Sequence, residues 1–192
     1  MDPQELARLI ALCKAGDCGA YEKLVALYSP RLYGYLVRLV GRTDDAEELL
    51  QEVFLRLVGS MASYRHAGQL TAYLFRIATN VVRDRYRRRQ VRPHEVRESE
   101  SAEHEESAGL GDMVAGDEPD PAAAMHLQER AEALNRALAR LPAEQREVIL
   151  LRHYSAMSFN EIADVLGCPV GTALARAHRG LKHLRELLAN EP

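Results

Sequence analysis

Residues 44–89 read DDAEELLQEVFLRLVGSMASYRHAGQLTAYLFRIATNVVRDRYRRR, two helical patterns joined by an aromatic loop. In the first, Asp44 and Glu47 have capping-box spacing. Leu50, Val53, Phe54, Leu57 and Val58 then recur at i, i+3, i+4, i+7 and i+8, which predicts one buried stripe. Glu48, Gln51 and Glu52 fall on the other side, towards water or a partner. Residues 59–69 read as a loop. Residues 70–89 form the second helix, with Leu74, Ile77, Ala78 and Val81 inward. Its ridge carries Arg76, Asn80, Arg83 and Arg87 at i, i+4, i+7 and i+11. Alternating runs bounded by turn pairs, the strand signature, occur nowhere in the chain, so the fold class is all-α.

Upstream, Asp2-Pro3 opens a first helix that Gly16 ends. Residues 20–40 are apolar at helical spacing, with a break expected at Ser29-Pro30 and a stop at Gly41. Downstream, residues 91–121 change character. They hold two Lys/Arg against ten Asp/Glu, with several Pro, Gly and Ser and no aromatic residue. Self-repelling charge with little to bury predicts an extended tether, able to span on the order of 100 Å. Helical patterns resume at 122–140, again after Leu141-Pro142, at 159–166 behind a Ser158/Glu161 capping box, and at 170–188. The reading is two small helical domains, residues 1–90 and 122–192, joined by a flexible acidic linker at 91–121.

The net charge of −3 over 192 residues conceals this division. Residues 1–90 carry 14 Lys/Arg against 10 Asp/Glu, and residues 122–192 carry nine against eight. With the acidic segment set aside, what remains is basic in patches, which suits a nucleic-acid partner. Cys13, Cys18 and Cys168 are too scattered for a disulfide framework or a zinc site. No run approaches the ~18 apolar residues of a membrane span. The chain therefore reads as soluble and cytoplasmic, with no cofactor and no metal. No phosphate-binding glycine loop or nucleophile–base pattern is visible, so no catalytic residue is assigned.

Three constellations carry function. Residues 158–188 fit a helix-turn-helix: a short capped helix, a turn at Gly167-Cys168-Pro169, and a second helix with Thr172, Arg176 and Arg179 on one face. Ala173, Ala177, Gly180 and Leu184 lie on another face, available for packing. Arginine forks onto guanine edges or grips phosphate, so that face suits duplex DNA. The ridge on residues 70–89 stands beside Tyr64, Arg65 and Tyr73. Arginine beside aromatic rings suits strand separation with capture of unpaired bases, since each stacked base contributes roughly 1–3 kcal/mol. The acidic face of residues 44–52 suits a protein partner.

Together these residues resemble a bacterial RNA polymerase sigma factor of the extracytoplasmic-function class. Asp45-Ala46-Glu47-Glu48 through Gln51-Glu52-Val53-Phe54 is similar to the family's region that docks on the polymerase clamp. Residues 72–80 through Asp84 and Arg87-Arg88 resemble the region that melts and reads the minus-ten element. Leu141-Pro142 through Arg146-Glu147, Glu161-Ile162-Ala163, Leu166-Gly167 and Gly171-Thr172 resemble the minus-thirty-five reader. The resemblance implies core RNA polymerase (clamp and flap), promoter DNA and an anti-sigma factor as partners, and no membrane insertion. It implies polymerase contacts from Asp45, Glu48, Gln51 and Glu52. Minus-ten contacts would come from Tyr64, Arg65, Tyr73, Arg76, Asn80, Arg83, Arg87 and Arg88, and minus-thirty-five contacts from Thr172, Arg176, Arg179 and Lys182.

The chain also departs from the pattern. Tyr73 stands where the family usually has Trp, which keeps an aromatic ring but shrinks it. Pro169 replaces a small polar residue and removes an N-cap hydroxyl. Leu174 and Ala175 stand where basic and hydroxylic residues are usual. Two rival readings remain in view. A stand-alone helix-turn-helix regulator leaves the basic, aromatic first domain without a role, and a helical adaptor needs neither arginine face.

Overall fold

The computed structural model describes residues 2–65, 69–91 and 121–190. Every regular element among them is helical. The first group comprises α1 (Pro3–Lys14), α2 (Cys18–Val40), α3 (Thr43–Ser60), a 3-10 turn at Met61–Ser63 and α4 (Leu70–Val91). The second comprises α5 (Pro121–Arg140), α6 (Ala143–Ser155), α7 (Phe159–Leu166) and α8 (Val170–Ala189). The acidic tether reading falls on residues 92–120, outside those described.

α2 is the spine of the first group. Asp17 caps it by accepting the Ala20 N–H at 2.7 Å, and Gly41, at φ 80°, ends it in the left-handed region where glycine carries no Cβ penalty. The break expected at Pro30 does not occur, and α2 runs through it. Pro30 lies on the exposed face, while Leu24, Tyr28, Leu32, Tyr35 and Leu36 are buried to either side of it. Packing on both flanks holds the helix despite the missing N–H. The Tyr35 ring meets Phe75 edge-on, with centroids 5.3 Å apart, and its hydroxyl shares a 3.1 Å hydrogen bond with Thr79. Burial holds the Tyr35 phenol far above its ordinary pKa.

α3 differs from its sequence reading in three respects. Gly41 leaves only Arg42 as connector, so the helix starts at Thr43 with Arg42 at the N-cap and no side-chain cap. Asp44 therefore does not cap. With Asp45 it lies in the first turn, where negative charge complements the helix dipole. The buried line is also rotated. Ala46, Leu49, Val53 and Leu57 are buried, Leu50 and Phe54 half-buried, and Val58 is exposed. α3 packs against both α2 and α4, and its buried line follows the seam between them. The segment expected to be a loop from Gly59 instead continues as helix to Ser60 and then as the 3-10 turn, pinned by buried Met61 and Tyr64. In α4, Leu74, Ala78 and Val81 are buried and Ile77 half-buried, as the periodicity predicts.

In the second group Ser158 and Glu161 form the expected capping box: the Glu161 N–H donates to Ser158 Oγ at 3.3 Å and the Ser158 N–H to Glu161 Oε2 at 2.8 Å. The Ser158 hydroxyl, which donates to Glu161 Oε2 at 2.7 Å, and then the Ser158 N–H hold the Glu161 carboxyl below its usual pKa. Ser158→Ala should cost about 1 kcal/mol of stability, read as a lowered thermal midpoint. Gly167, at φ 66°, turns the chain into α8, whose N-cap Pro169 makes no side-chain cap bond, as its chemistry requires. Ala173, Ala177 and Gly180 are buried. A Cβ on Gly180 would stand 2.7 Å from Ile149 Cδ1, so α8 and α6 come this close only over glycine.

The two groups are docked. α2 packs on α6, α4 packs on α6 and α7, and buried apolar side chains of both groups form one continuous cluster.

Candidate nucleic-acid interface and partner face

The junction between the 3-10 turn and α4 holds a cleft of about 400 Å³ lined by Ser63, Tyr64, Arg65, Gln69, Tyr73 and Arg76. Met61 and Tyr64 anchor the turn and Leu70 and Leu74 anchor the helix, which leaves Tyr73 at the edge of the cleft. The Tyr64 and Tyr73 rings lie 4.8 Å apart at 37°, and the Lys14 ammonium stands 6.0 Å from the Tyr64 ring centre. Tyr64 is buried and Tyr73 half-buried. Burial raises the Tyr64 phenol pKa, and its hydroxyl has no hydrogen-bond partner among the described residues. Exposed Arg65 and Arg76 flank the cleft. A cleft with a tyrosine ring in its lining and cationic walls can take up a flat, polar-edged group next to phosphate.

Beyond the cleft, the ridge on α4 continues with exposed Asn80, Arg83, Arg87 and Arg88. Two of these cations already have partners. Arg87 pairs with Asp84 at 2.8 Å, and Arg83 reaches Glu147 of α6 at 3.4 Å. Asp84 also accepts from Arg56 at 3.0 Å, and that bond leads the lowering of its carboxyl pKa.

The acidic helix is less free than its sequence suggests. Asp45 is buried, its side chain only 12% exposed, and it faces α4 rather than solvent. There it pairs with Arg85 and with Arg89 at 3.0 Å. Arg85 also bonds Glu48 at 2.8 Å, and Glu52 bonds Arg56 at 2.7 Å. Charge alternation along the sequence therefore resolves partly into cross-links between α3 and α4. Glu48 and Gln51 remain exposed, and Glu52 is half-buried.

Beside them stand two residues that the periodicity did not single out or misplaced: Leu55, 68% exposed, and Val58, 50% exposed. Residues 48, 51, 55 and 58 follow at i, i+3, i+7 and i+10, so they share one outer face. A face that is polar at Glu48 and Gln51 and apolar at Leu55 and Val58 has the composition of a docking surface. Leu55 lies outside the predicted apolar stripe, and a single apolar residue off the stripe does not by itself mark a partner face.

On α8 the structure places Thr172 half-buried and Arg179 and Lys182 exposed. Arg176 is drawn back to Glu144 at 2.8 Å, and Lys182 stands 4.0 Å from Glu186. Leu174 and Ala175 are exposed at the start of the helix, so the positions that depart from the family pattern lie on the outer surface. No cluster of His, Cys, Asp and Glu suited to a metal occurs among the described residues, and none of their helices is long and apolar enough to cross a membrane.

Comparison with known proteins agrees with this geometry on both sides of the acidic segment. Residues 24–92 match the family described as Sigma-70 region 2, and residues 131–184 match Sigma-70, region 4. The ECF RNA polymerase sigma factor SigW of Bacillus subtilis is 31% identical over 95% of this chain and 96% of its own. The RNA polymerase sigma factor CarQ of Myxococcus xanthus is 35% identical over 90% and 91%. Among solved structures, the sigma factor RpoE of Bartonella quintana, in complex with the anti-sigma factor NepR, aligns with a TM-score of 0.66 at 26% identity, over 90% of this chain and 98% of that one. Two matched regions in the right order, and relatives aligned almost end to end, place the chain in the family of ECF RNA polymerase sigma factors.

Proposed function

We propose that this chain binds core RNA polymerase and directs it to a particular class of promoters, acting in the cytoplasm as an initiation subunit and not as an enzyme. The observation that carries this reading is the tyrosine cleft at the head of the arginine ridge, beside an outer α3 face that is both acidic and apolar. One element faces nucleic acid and its neighbour faces protein.

In this reading Tyr73 and the cleft take up a base unpaired from the minus-ten element. Tyr64 backs the cleft, Arg65, Arg76, Arg83, Arg87 and Arg88 meet phosphate, and Asn80 meets a base edge. Thr172, Arg176, Arg179 and Lys182 address the upstream box in the major groove. Glu48, Gln51 and Glu52 meet polymerase directly, with Leu55 and Val58 as their apolar centre. Asp45 acts from beneath, holding Arg85 and Arg89 against α3. Residues 1–90 and 122–192 serve as the two functional domains. By analogy with the solved relative, an anti-sigma protein is the expected inhibitor.

Run-off transcription with purified core polymerase and a promoter library tests the whole proposal: specific transcripts are expected, and their absence on every template would end it. Leu55→Asp should weaken polymerase binding by at least about fivefold, as loss of a central contact does, while the thermal midpoint stays near wild type. Binding to polymerase, measured by fluorescence anisotropy, checks this. A variant that bound as tightly as wild type would move the docking face off α3.

A further inference from the structure

We propose that Leu174 is a specificity-determining residue of α8: it reads a thymine of the upstream box through the C5-methyl group, while Ala175 and Gly171 keep the contact free of hydrogen-bonding side chains. This rests on the proposed promoter role of α8 and names the base chemistry that helix selects.

The inner side of α8 is fixed by buried Ala173, Ala177 and Gly180, the last pressed by Ile149 of α6. At about 100° per residue, the opposite side at the start of the helix carries Gly171, Leu174, Ala175 and His178. All four are exposed. Leu174 is 45% exposed and lies outside the apolar cluster that unites the helices, so the fold does not use its side chain. A Cβ on Gly171 would meet nothing within 4 Å. Packing within the chain therefore does not call for glycine there, although glycine is the poorer helix former. The result is bare backbone beside an exposed leucine, on the helix that follows the Gly167 turn.

The polar side chains that read bases by hydrogen bonds are drawn off this tip. Arg176, its side chain 20% exposed, pairs with Glu144 at 2.8 Å. The Arg179 Nε donates to the Ala175 carbonyl at 3.3 Å, which folds that side chain along its own helix, and Thr172 is half-buried. The charge of α8 selects the occupant of the face. The helix carries four Lys/Arg against one Glu, and Arg179, Lys182 and Arg185 are exposed beyond the tip, which suits a phosphate backbone on either side of it.

In the major groove each base pair presents hydrogen-bond donors and acceptors, and the thymine C5-methyl is the one apolar group among them. Leucine laid over that methyl buries apolar surface on both partners. Laid over guanine O6 and N7 or cytosine N4, it desolvates polar atoms and offers them no partner. One side chain thus favours thymine and rejects a G·C pair. A basic side chain, usual in the family at this position, favours guanine instead.

The test uses holoenzyme assembled from core polymerase and the full chain, on a promoter obtained from the run-off library. Deoxyuridine replaces thymine one position at a time in the upstream box, which removes the methyl and keeps the pairing. At the thymine that meets Leu174, promoter binding should weaken about fourfold, the equivalent of one buried methyl group. Leu174→Ala, at an exposed position and to the best helix former, should keep its circular dichroism and become indifferent to that deoxyuridine, within about twofold. Leu174→Arg should shift the preference at that position from A·T to G·C. An effect of deoxyuridine on duplex stiffness would persist in Leu174→Ala, so the comparison separates contact from shape. The inference is overturned if no thymine of the upstream box responds to loss of its methyl. It is equally overturned if Leu174→Ala responds as strongly as wild type, or if Leu174→Arg keeps the wild-type base preference. Failure to obtain any transcript would strike the proposed function and this inference with it, whereas a transcribed promoter with a methyl-insensitive upstream box would strike the reading of Leu174 alone.

Discussion

Phe75→Ala is expected to lower the unfolding free energy by about 3–5 kcal/mol, the range for truncating a large buried aromatic residue. Phe75 is 0% exposed, and its ring meets Tyr35 edge-on at 5.3 Å between centroids. Tyr35 is itself fully buried and tied to Thr79, one turn beyond Phe75 on α4. Removing the Phe75 ring therefore opens a cavity where α2 and α4 meet, and the Tyr35 hydroxyl limits how far its own ring can relax into the gap. Urea unfolding followed by circular dichroism measures the loss. A ΔΔG below about 1 kcal/mol, the size expected away from a packed core, would show that α2 and α4 are not joined through this pair.

The second large effect is on function. Tyr73→Ala should reduce initiation on duplex promoters by roughly 5- to 150-fold, the equivalent of losing one base stacked on an aromatic ring. Tyr73→Phe keeps the ring and should stay within about twofold of wild type, a difference of less than ~0.5 kcal/mol. Tyr73→Trp, which restores the ring usual in the family, should equal or exceed it. A template with a permanently unpaired minus-ten segment removes the cost of opening the duplex and should narrow the deficit of Tyr73→Ala. If the deficit were the same on paired and unpaired templates, Tyr73 would serve the packing of Tyr64 rather than base capture. Equal activity of Tyr73→Ala and wild type on duplex DNA would remove the cleft from the mechanism.

The helical architecture was legible because its signals are local. Gly41 and Gly167 adopt the left-handed backbone expected where their helices stop, and Ser158 with Glu161 makes its capping box. Apolar spacing turned Leu74, Ala78 and Val81 inward as read. Local rules fail where a neighbour outweighs them. Pro30 reads as a helix breaker, yet burial on both flanks carries α2 through it. Asp44 reads as a cap, yet the short connector after Gly41 starts α3 two residues earlier.

The candidate site divided along the same line. Its cationic ridge and tyrosines could be named from residue type and spacing, because chemistry and helical phase need only the sequence. The fate of each charge could not. Asp45 and Glu48 share the acidic stretch that suits a partner, yet the fold turns Asp45 inward onto Arg85 and Arg89. Val58 belongs to the outer face, although its apolar spacing alone would bury it, and Leu55, outside that spacing, joins it there.

What the chain determined by itself is its set of helices, their ends, and the residue chemistry each one carries, since hydrogen bonding and side-chain phase within a helix reach no further than about four residues. Only the tertiary structure decided which charges are occupied and which apolar side chains stay in water. Those outcomes depend on contacts between residues far apart in sequence, such as Arg83 with Glu147 and Gly34 with Tyr154. No pattern within one helix encodes what another helix brings to its surface.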